Sequence, residues 1–503
     1  MAVPALRSTE KRRNKKMLDP FLRMETKMAT LLKSRVAAMA VAGFAAAASL
    51  GLPAPSDAQQ KAAAPAAGKG EQFVPVLVYR TGAYAPNGTP WANGFVDYLK
   101  LVNAQGGING VKLTWEECET GYATDRGVEC YERLKTKPFV SAFQPLSTGI
   151  TFALTDKAPT DKIPLITAGY GRSESVEGEA FPWNFPLMGT YWDAADVLVQ
   201  HVGKLNGGTD KLKGKKIALV YHDSPFGKEP IALLQERAKL HGFELMTIPV
   251  THPGVEQKAA WLQIRQNRPD YVFLWGWGVM NSTALREAVA TGYPRDKMYG
   301  VWWAAAEPDV LPVGADAKGY NGLALQHGAG RAKVHNEILA TLHAKGQGTG
   351  PQEEVGTVLY TRGMISAMLQ VEGIRQSQLR YGTKPLTGEQ IRYGLENLNL
   401  DAKRLEALGL SGVMKPLATN CRDHAGARSA RIQQWDGTKW VFTSDFYEAD
   451  NQIIKPMIKA AAQRYVTDKK LTMRSCADEI AAAAKTSAPA AAPAAVKAAP
   501  AKK

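Results

Sequence analysis

From Phe73 to about Trp303 the chain repeats one unit: a short apolar run, a loop bearing glycine or proline, then a stretch with apolar residues on one helical face. The run FVPVLVYR, beginning at Phe73, ends at Thr81-Gly82 and a Pro/Gly/Asn loop, after which Trp91, Phe95, Leu99 and Val102 recur at helical spacing. Glycines in 105–110 stop that helix, and VKLTWEEC follows as a second strand. The alternation returns as a strand over 139–143, a helix over about 149–158 and a strand over 163–167. It returns again as a strand over 216–221, a helix through Leu240 and a strand over 244–249. A strand over 271–275, a helix over about 281–291 and a strand over 298–303 close the series. Successive β-α-β units with apolar strands demand parallel sheets covered by helices. Two such sheets fit in the more than 400 residues between the tails, and a single small module is excluded.

In sheets of this kind ligands bind beyond the carboxyl ends of the strands, so the loops there are where function is sought. Three of them are 81–88, 144–149 and 169–171. Ser147 and Thr148 sit at a helix start, where hydroxyls and backbone amides can hold a carboxylate, or serve only as N-caps. Later loops are aromatic: Trp275-Gly276-Trp277-Gly278 and Val301-Trp302-Trp303. Glycine-spaced tryptophans at strand ends fit the wall of an apolar or aromatic ligand site better than plain core, because strand alternation turns only one of each pair inward.

The formal charge of +15 invites a nucleic-acid reading, but residues 1–58 carry +6 of it and residues 485–503 carry +4. The +5 left for the body is no dense basic face, so nucleic acid is not an expected partner. Lys33 and Arg35 precede an apolar run over 36–52 and a small-residue exit, Ser56-Asp57-Ala58, the order of a cleavable secretory signal, with a retained anchor as the competing reading. Met24 or Met28 is a possible true start. Residues 1–58 are thus read as extension and signal, 59–70 as a linker, 71–480 as the folded body and 481–503 as an Ala/Pro/Lys tail. Export places the protein in the periplasm, where thiols pair. Of the three pairings open to four cysteines, Cys118 with Cys130 and Cys421 with Cys476 is the expected one.

Catalytic motifs are missing: there is no phosphate-binding GxxxxGK, no HExxH and no GxSxG. His222-Asp223-Ser224 looks like a compressed triad, yet adjacent residues on one loop cannot hold triad geometry, and a structural turn is expected. No catalytic residue, cofactor or metal is assigned.

Four segments together resemble the leucine/isoleucine/valine-type substrate-binding proteins of ABC importers: 103–110 (NAQGGING), the Ser147-Thr148 loop, 163–167 (IPLIT) and 218–227 (ALVYHDSPFG). The likeness runs from about Phe73 to at least Gly373. It implies the type I periplasmic-binding fold, an α/β architecture of two Rossmann-like lobes joined by a three-segment hinge, with the ligand cleft between them. Lobe one would be about 73–189 and 327–398, and lobe two about 190–326 and 399–470, with Asp436-Gly437 in 431–442 forming a hairpin turn. The implied protein is a monomeric, non-enzymatic binder of a small solute, with ABC permease subunits as partners. A ligand-sensing receptor subunit is the alternative.

By the same likeness the ligand carboxylate falls to Ser147 or Thr148 and to the loop Gly169, Tyr170 and Gly171, and aromatic contacts fall to Phe226 and Trp277, with Trp302 of the aromatic loop expected to complete the sandwich. Tyr84 and Trp91 complete the expected ligand-binding set. Two departures matter. Gly171 stands where the family has a threonine, and the acid that receives a ligand ammonium falls near Trp302, with Glu307 the nearest downstream. A buried ammonium needs a charge partner, so an aromatic or aliphatic carboxylate is expected, and a branched-chain amino acid or amide using Glu307 is the alternative.

Overall fold

The structure is a computed structural model of the 503-residue chain and describes residues 70–326, 330–479 and 481. The expected extension, export signal, linker up to residue 69 and tail from 482 lie outside them.

Lobe one opens with β1 (Glu71–Val78), α1 (Ala85–Ala104) and β2 (Lys112–Glu119), which pairs with β1 in parallel from Glu71↔Lys112 to Val78↔Glu119. After α2 (Thr124–Leu134), the segment expected as a strand over 139–143 joins only through single parallel bridges, Phe73↔Val140 and Phe143↔Leu165. Then come α3 (Thr148–Thr155), α4 (Ala158–Asp161), β3 (Leu165–Ile166) and β4 (Asn184–Phe185), the two strands again parallel.

Lobe two begins at α5 (Tyr191–Leu205), started by a capping box between Thr190 and Asp193. It continues as β5 (Lys216–His222), α6 (Pro225–His241), β6 (Glu244–Val250) and α7 (Lys258–Asn267). β7 (Tyr271–Trp275), α8 (Val279–Ala290), β8 (Met298–Gly300), α9 (Glu307–Val310) and β9 (Asn321–Ala324) follow. The chain then returns to lobe one with α10 (Lys333–Thr341), α11 (Val358–Tyr381), α12 (Gly388–Glu396), β10 (Asn399–Leu400), α13 (Ala402–Ala407) and β11 (Leu417–Ala418). It crosses once more into β12 (Ser429–Trp435), β13 (Trp440–Phe442) and β14 (Tyr447–Glu448), and ends with α14 (Asn451–Asp468). The second sheet runs β13-β12-β9-β8-β7-β5-β6, parallel from β6 to β9, with β12 antiparallel on β9. The expected hairpin is present: Trp435 pairs with Trp440, and Asp436 accepts hydrogen bonds from the Thr438 and Lys439 amides in the turn.

The boundary expected at residue 398 falls too early. Residues 399–426 stay with lobe one: the Thr419 amide donates to Leu398, the Gly178 amide to Arg422, and His424 Nδ1–H to the Asn184 carbonyl at 2.7 Å. Cys421 is also bonded to Cys476, and Cys118 to Cys130, the pairing expected from the sequence. α14 touches both lobes. Its N-cap Asp450 donates its amide to Asp196 of α5, while Tyr465 stacks on Phe181 at 4.4 Å and donates to Asp156 in lobe one.

α1 and α11 cross in backbone contact. A Cβ on Gly94 would meet the Tyr360 carbonyl at 2.0 Å, and one on Gly363 would meet the Trp91 carbonyl at 1.8 Å. Trp91 is buried at this crossing with its ring stacked on Phe95 at 5.0 Å. It belongs to the core of lobe one, because the apolar face of α1 is taken up by a helix some 270 residues downstream. Among the described residues no helix is long and apolar enough to cross a membrane.

Candidate functional site

Between the lobes lies a small cavity whose walls are closely packed in this arrangement. Its lining comes from residues at the carboxyl ends of strands and the starts of helices. Lobe one gives Tyr79 after β1, Tyr122 after β2, Leu146, Ser147 and Thr148 before α3, and Tyr170 after β3. Lobe two gives Tyr191, Phe226, Trp277 and Trp303. None of these ten side chains is an acid or a base.

The polar end of the cavity is the start of α3. Ser147 is its N-cap, with Oγ accepting from the Ile150 amide at 3.4 Å and the Tyr122 hydroxyl beside it. Thr148 Oγ1 is sealed from solvent without a well-formed hydrogen bond, and the Tyr191 hydroxyl lies beside it. Burial raises both phenol pKa values, so these hydroxyls stay neutral donors at physiological pH. Tyr170 braces the loop, accepting from the Leu146 amide at 2.8 Å and donating to the Ile166 carbonyl at 3.2 Å.

The other walls are aromatic. Trp277 and Trp303 meet edge to face at 5.2 Å, and Tyr191 lies 5.2 Å from Phe226. Indole hydrogen bonds are among those that tie the lobes across the cleft. Trp277 Nε1–H donates to Tyr79 Oη at 3.0 Å, and the indoles of Trp302 and Trp303 both donate to the Gly169 carbonyl, at 2.6 and 2.8 Å. Gly169 adopts φ +76°, and a Cβ there would lie 2.6 Å from Leu325 Cδ1. Behind the wall, the buried guanidinium of Arg362 lies over the Trp303 ring at 4.5 Å and donates to the Trp302 carbonyl at 2.6 Å. Burial lowers its pKa to about 9, still above neutrality. Asn281 donates both to the Trp303 carbonyl and to the buried Asp309, fixing this turn.

The structure therefore gathers Ser147, Thr148, Tyr170, Phe226 and Trp277 in the cavity wall. Gly169 and Gly171 stand just behind it, the first as the acceptor of two indoles and the second facing Glu229 and Thr148. Trp302 is displaced from its expected role. It is fully buried, stacked on Tyr191 at 6.2 Å, and Trp303 forms the wall instead. The cause is that β8 ends at Gly300 and a 3-10 turn spans Trp302–Ala304, so strand alternation no longer sets which indole faces the cleft. Tyr84 is one layer out, packed on Tyr122 at 4.3 Å, with its hydroxyl 2.8 Å from His222 Nε2. Trp91 is in the core of lobe one, away from the cavity. Glu307 is also outside the wall: its Oε2 accepts from the Val358 amide at the start of α11. His222, Asp223 and Ser224 form no triad, since Asp223 turns to Lys228 at 2.7 Å and burial pushes His222 down to about 3, keeping it neutral.

The expected ligand-binding set left out Tyr79, Tyr122, Leu146, Tyr191 and Trp303, although Leu146 and Trp303 stand in loops the sequence singled out. Tyr79 and Tyr122 follow the first two strands, so the rule that ligands sit at carboxyl strand ends pointed at both. Tyr191 opens a helix at a lobe crossing, where no strand marks the place.

The profile of the periplasmic binding protein family matches residues 71–445. No curated protein matches the chain in sequence. Among solved structures, one described as an ABC transporter permease from the Pseudomonas fluorescens group is 43% identical, with TM-score 0.75, covering 81% of this chain and 99% of that one. A branched-chain amino acid ABC transporter protein from Thermus thermophilus with bound valine is 21% identical, with TM-score 0.66, covering 78% and 99%. A solute-binding protein from Rhodopseudomonas palustris in complex with 3,4-dihydroxybenzoic acid is 16% identical, with TM-score 0.58, covering 75% and 98%. The type I periplasmic-binding fold of two Rossmann-like lobes is thus shared with them.

Proposed function

Because the chain belongs to the periplasmic binding protein family, whose members are solute-binding proteins of ABC transporters, we propose that it captures a small aromatic carboxylate and delivers it unaltered to a membrane permease. Family membership implies an extracytoplasmic protein with a small-molecule ligand and permease partners. The finer reading is a monomer exported to the periplasm by the signal at 31–58, with no catalytic step of its own.

The observation that carries the ligand class is the pairing of a charge-free aromatic cavity with a hydroxyl-lined helix start. A carboxylate placed at α3 meets free backbone amides and the hydroxyls of Ser147, Thr148, Tyr122 and Tyr191, while its ring lies among Trp277, Trp303 and Phe226. Among the described residues an α-ammonium finds no comparable partner. The Gly169 carbonyl already receives two indole donors, one for each lone pair, and Glu307 faces α11. The Rhodopseudomonas palustris protein, which holds 3,4-dihydroxybenzoic acid on the same fold, is consistent with this choice. A thermal-shift panel of benzoate, hydroxybenzoates, leucine and valine tests it. Stabilisation by the aryl acids is expected, and stabilisation by leucine without the aryl acids would overturn the reading.

A further inference from the structure

Glu229, in the first turns of α6, carries a carboxyl caught in the seam between the lobes. Oε2 accepts from Ser173 Oγ at 2.7 Å, whereas Oε1 is sealed from solvent and has no hydrogen-bond partner, although part of the residue reaches the surface. A Cβ at Gly171 would fall 2.1 Å from Oε1 and 2.6 Å from Thr148 Cγ2, so the carboxyl occupies the space left by that glycine, beside the ligand-facing Thr148. Gly171, Ser173 and Thr148 belong to lobe one and α6 to lobe two. The enclosure therefore exists only while the lobes are together.

The Ser173 hydroxyl and backbone amide both favour the ionised form, and the other groups around it leave most of the charge uncompensated. Arg172 and Glu174 are paired with each other at 2.6 Å and act on Glu229 in opposite senses. From α5, Tyr191 is neutral, and Trp192 donates to the Glu229 backbone carbonyl rather than to the carboxyl. Lys228, next on α6, is turned to Asp223. Burial is the largest influence and pushes the carboxyl up to about 8.

We propose that lobe closure is coupled to the uptake of one proton from solvent by the Glu229 carboxyl, so that an anionic solute is enclosed together with a proton. This rests on the carboxylate reading above for its physical logic. Closing on an anion with Glu229 ionised would hold two negative charges on either side of Thr148 in a seam of low dielectric, and the proton removes one of them. When the lobes part, Glu229 returns to water and releases it.

Two measurements on the mature protein test this. Without any ligand, X-ray scattering should show a smaller radius of gyration at about pH 6 than at about pH 9, and Glu229→Gln should abolish the difference. Ser173→Ala, which keeps the carboxyl but removes a bond that holds its pKa down, should move the transition to higher pH. With benzoate, calorimetry in buffers of differing ionisation heat should report close to one proton taken up near pH 7, and binding at least about tenfold weaker at pH 8 than at pH 6. Benzoate binding with no proton uptake overturns the coupling and leaves the ligand reading intact. Failure of benzoate to bind overturns the ligand reading, and the scattering series then decides the coupling alone: pH-independent compactness, the same in wild type and Glu229→Gln, rejects it.

Discussion

Trp302 and Gly169 are joined across the cleft, the indole N–H of the first donating to the carbonyl of the second at 2.6 Å, with Trp303 sharing the same oxygen at 2.8 Å. Because the donors belong to lobe two and the acceptor to lobe one, these bonds exist only in the closed arrangement and favour it. Trp302→Phe keeps most of the stacking on Tyr191 and deletes one bond, worth roughly 1 kcal/mol net. About fivefold weaker binding of the aryl acid and a larger unliganded radius of gyration are expected, read by calorimetry and scattering. Unchanged affinity and compactness would show that the bond holds the turn rather than the lobes.

Ser147 and Thr148 are neighbours with different duties, and their variants should separate. Ser147→Ala loses an N-cap, costing about 1 kcal/mol of stability, and loses a carboxylate donor as well. Thr148→Val removes a buried oxygen that has no well-formed bond, so the melting temperature should hold or rise while aryl-carboxylate affinity falls about tenfold. Melting curves and titrations on the same samples would reveal it. Were Thr148→Val to bind normally, its hydroxyl would not be a ligand contact.

What the sequence made legible follows from which physical rule governs each residue. Ser147 and Trp277 follow short apolar runs whose glycine or proline breaks mark the carboxyl ends, and both line the cavity. Trp303 was hidden behind Trp302 because a 3-10 turn replaced the strand. Trp91 misled because helical periodicity shows that a face is buried but not against what, and its partner α11 is remote in sequence. The lobe boundary near 426 rather than 398 depends on the short β10–β11 pair and on the Cys421–Cys476 bond, neither of which has a periodic signal.

Glu307 supplies a pH test of stability. Burial pushes its carboxyl up to about 7, against roughly 4.5 when exposed, so the folded protein binds more protons than the unfolded chain between those values. Stability contributed by the protonated form is therefore present in acid and lost as pH rises through about 7, by an amount on the order of 3 kcal/mol at most. Glu307→Gln keeps an acceptor for the Val358 amide and removes the titration. Denaturant melts of variant and wild type should agree near pH 4 and favour the variant near pH 8. A constant gap at every pH would mean that Glu307 is ionised throughout.

The two disulfides close loops of very different span, 12 and 55 residues of sequence separation. Cys118–Cys130 joins β2 to α2 within lobe one. Cys421–Cys476 closes a loop that leaves lobe one, adds β12 and β13 to the second sheet, and returns along α14 to Phe181. Chain-entropy reasoning puts their contributions at about 3 and about 4 kcal/mol. The longer loop should matter beyond that difference, because cutting it frees α14 from lobe one, where Tyr465 and Lys469 meet Asp156. The double variant C421S/C476S is therefore expected to lower the melting temperature more than C118S/C130S and to raise hydrogen exchange in α14 selectively. Equal destabilisation, with α14 still protected, would mean that side-chain contacts alone hold the helix in place and that the disulfide restrains only the unfolded chain.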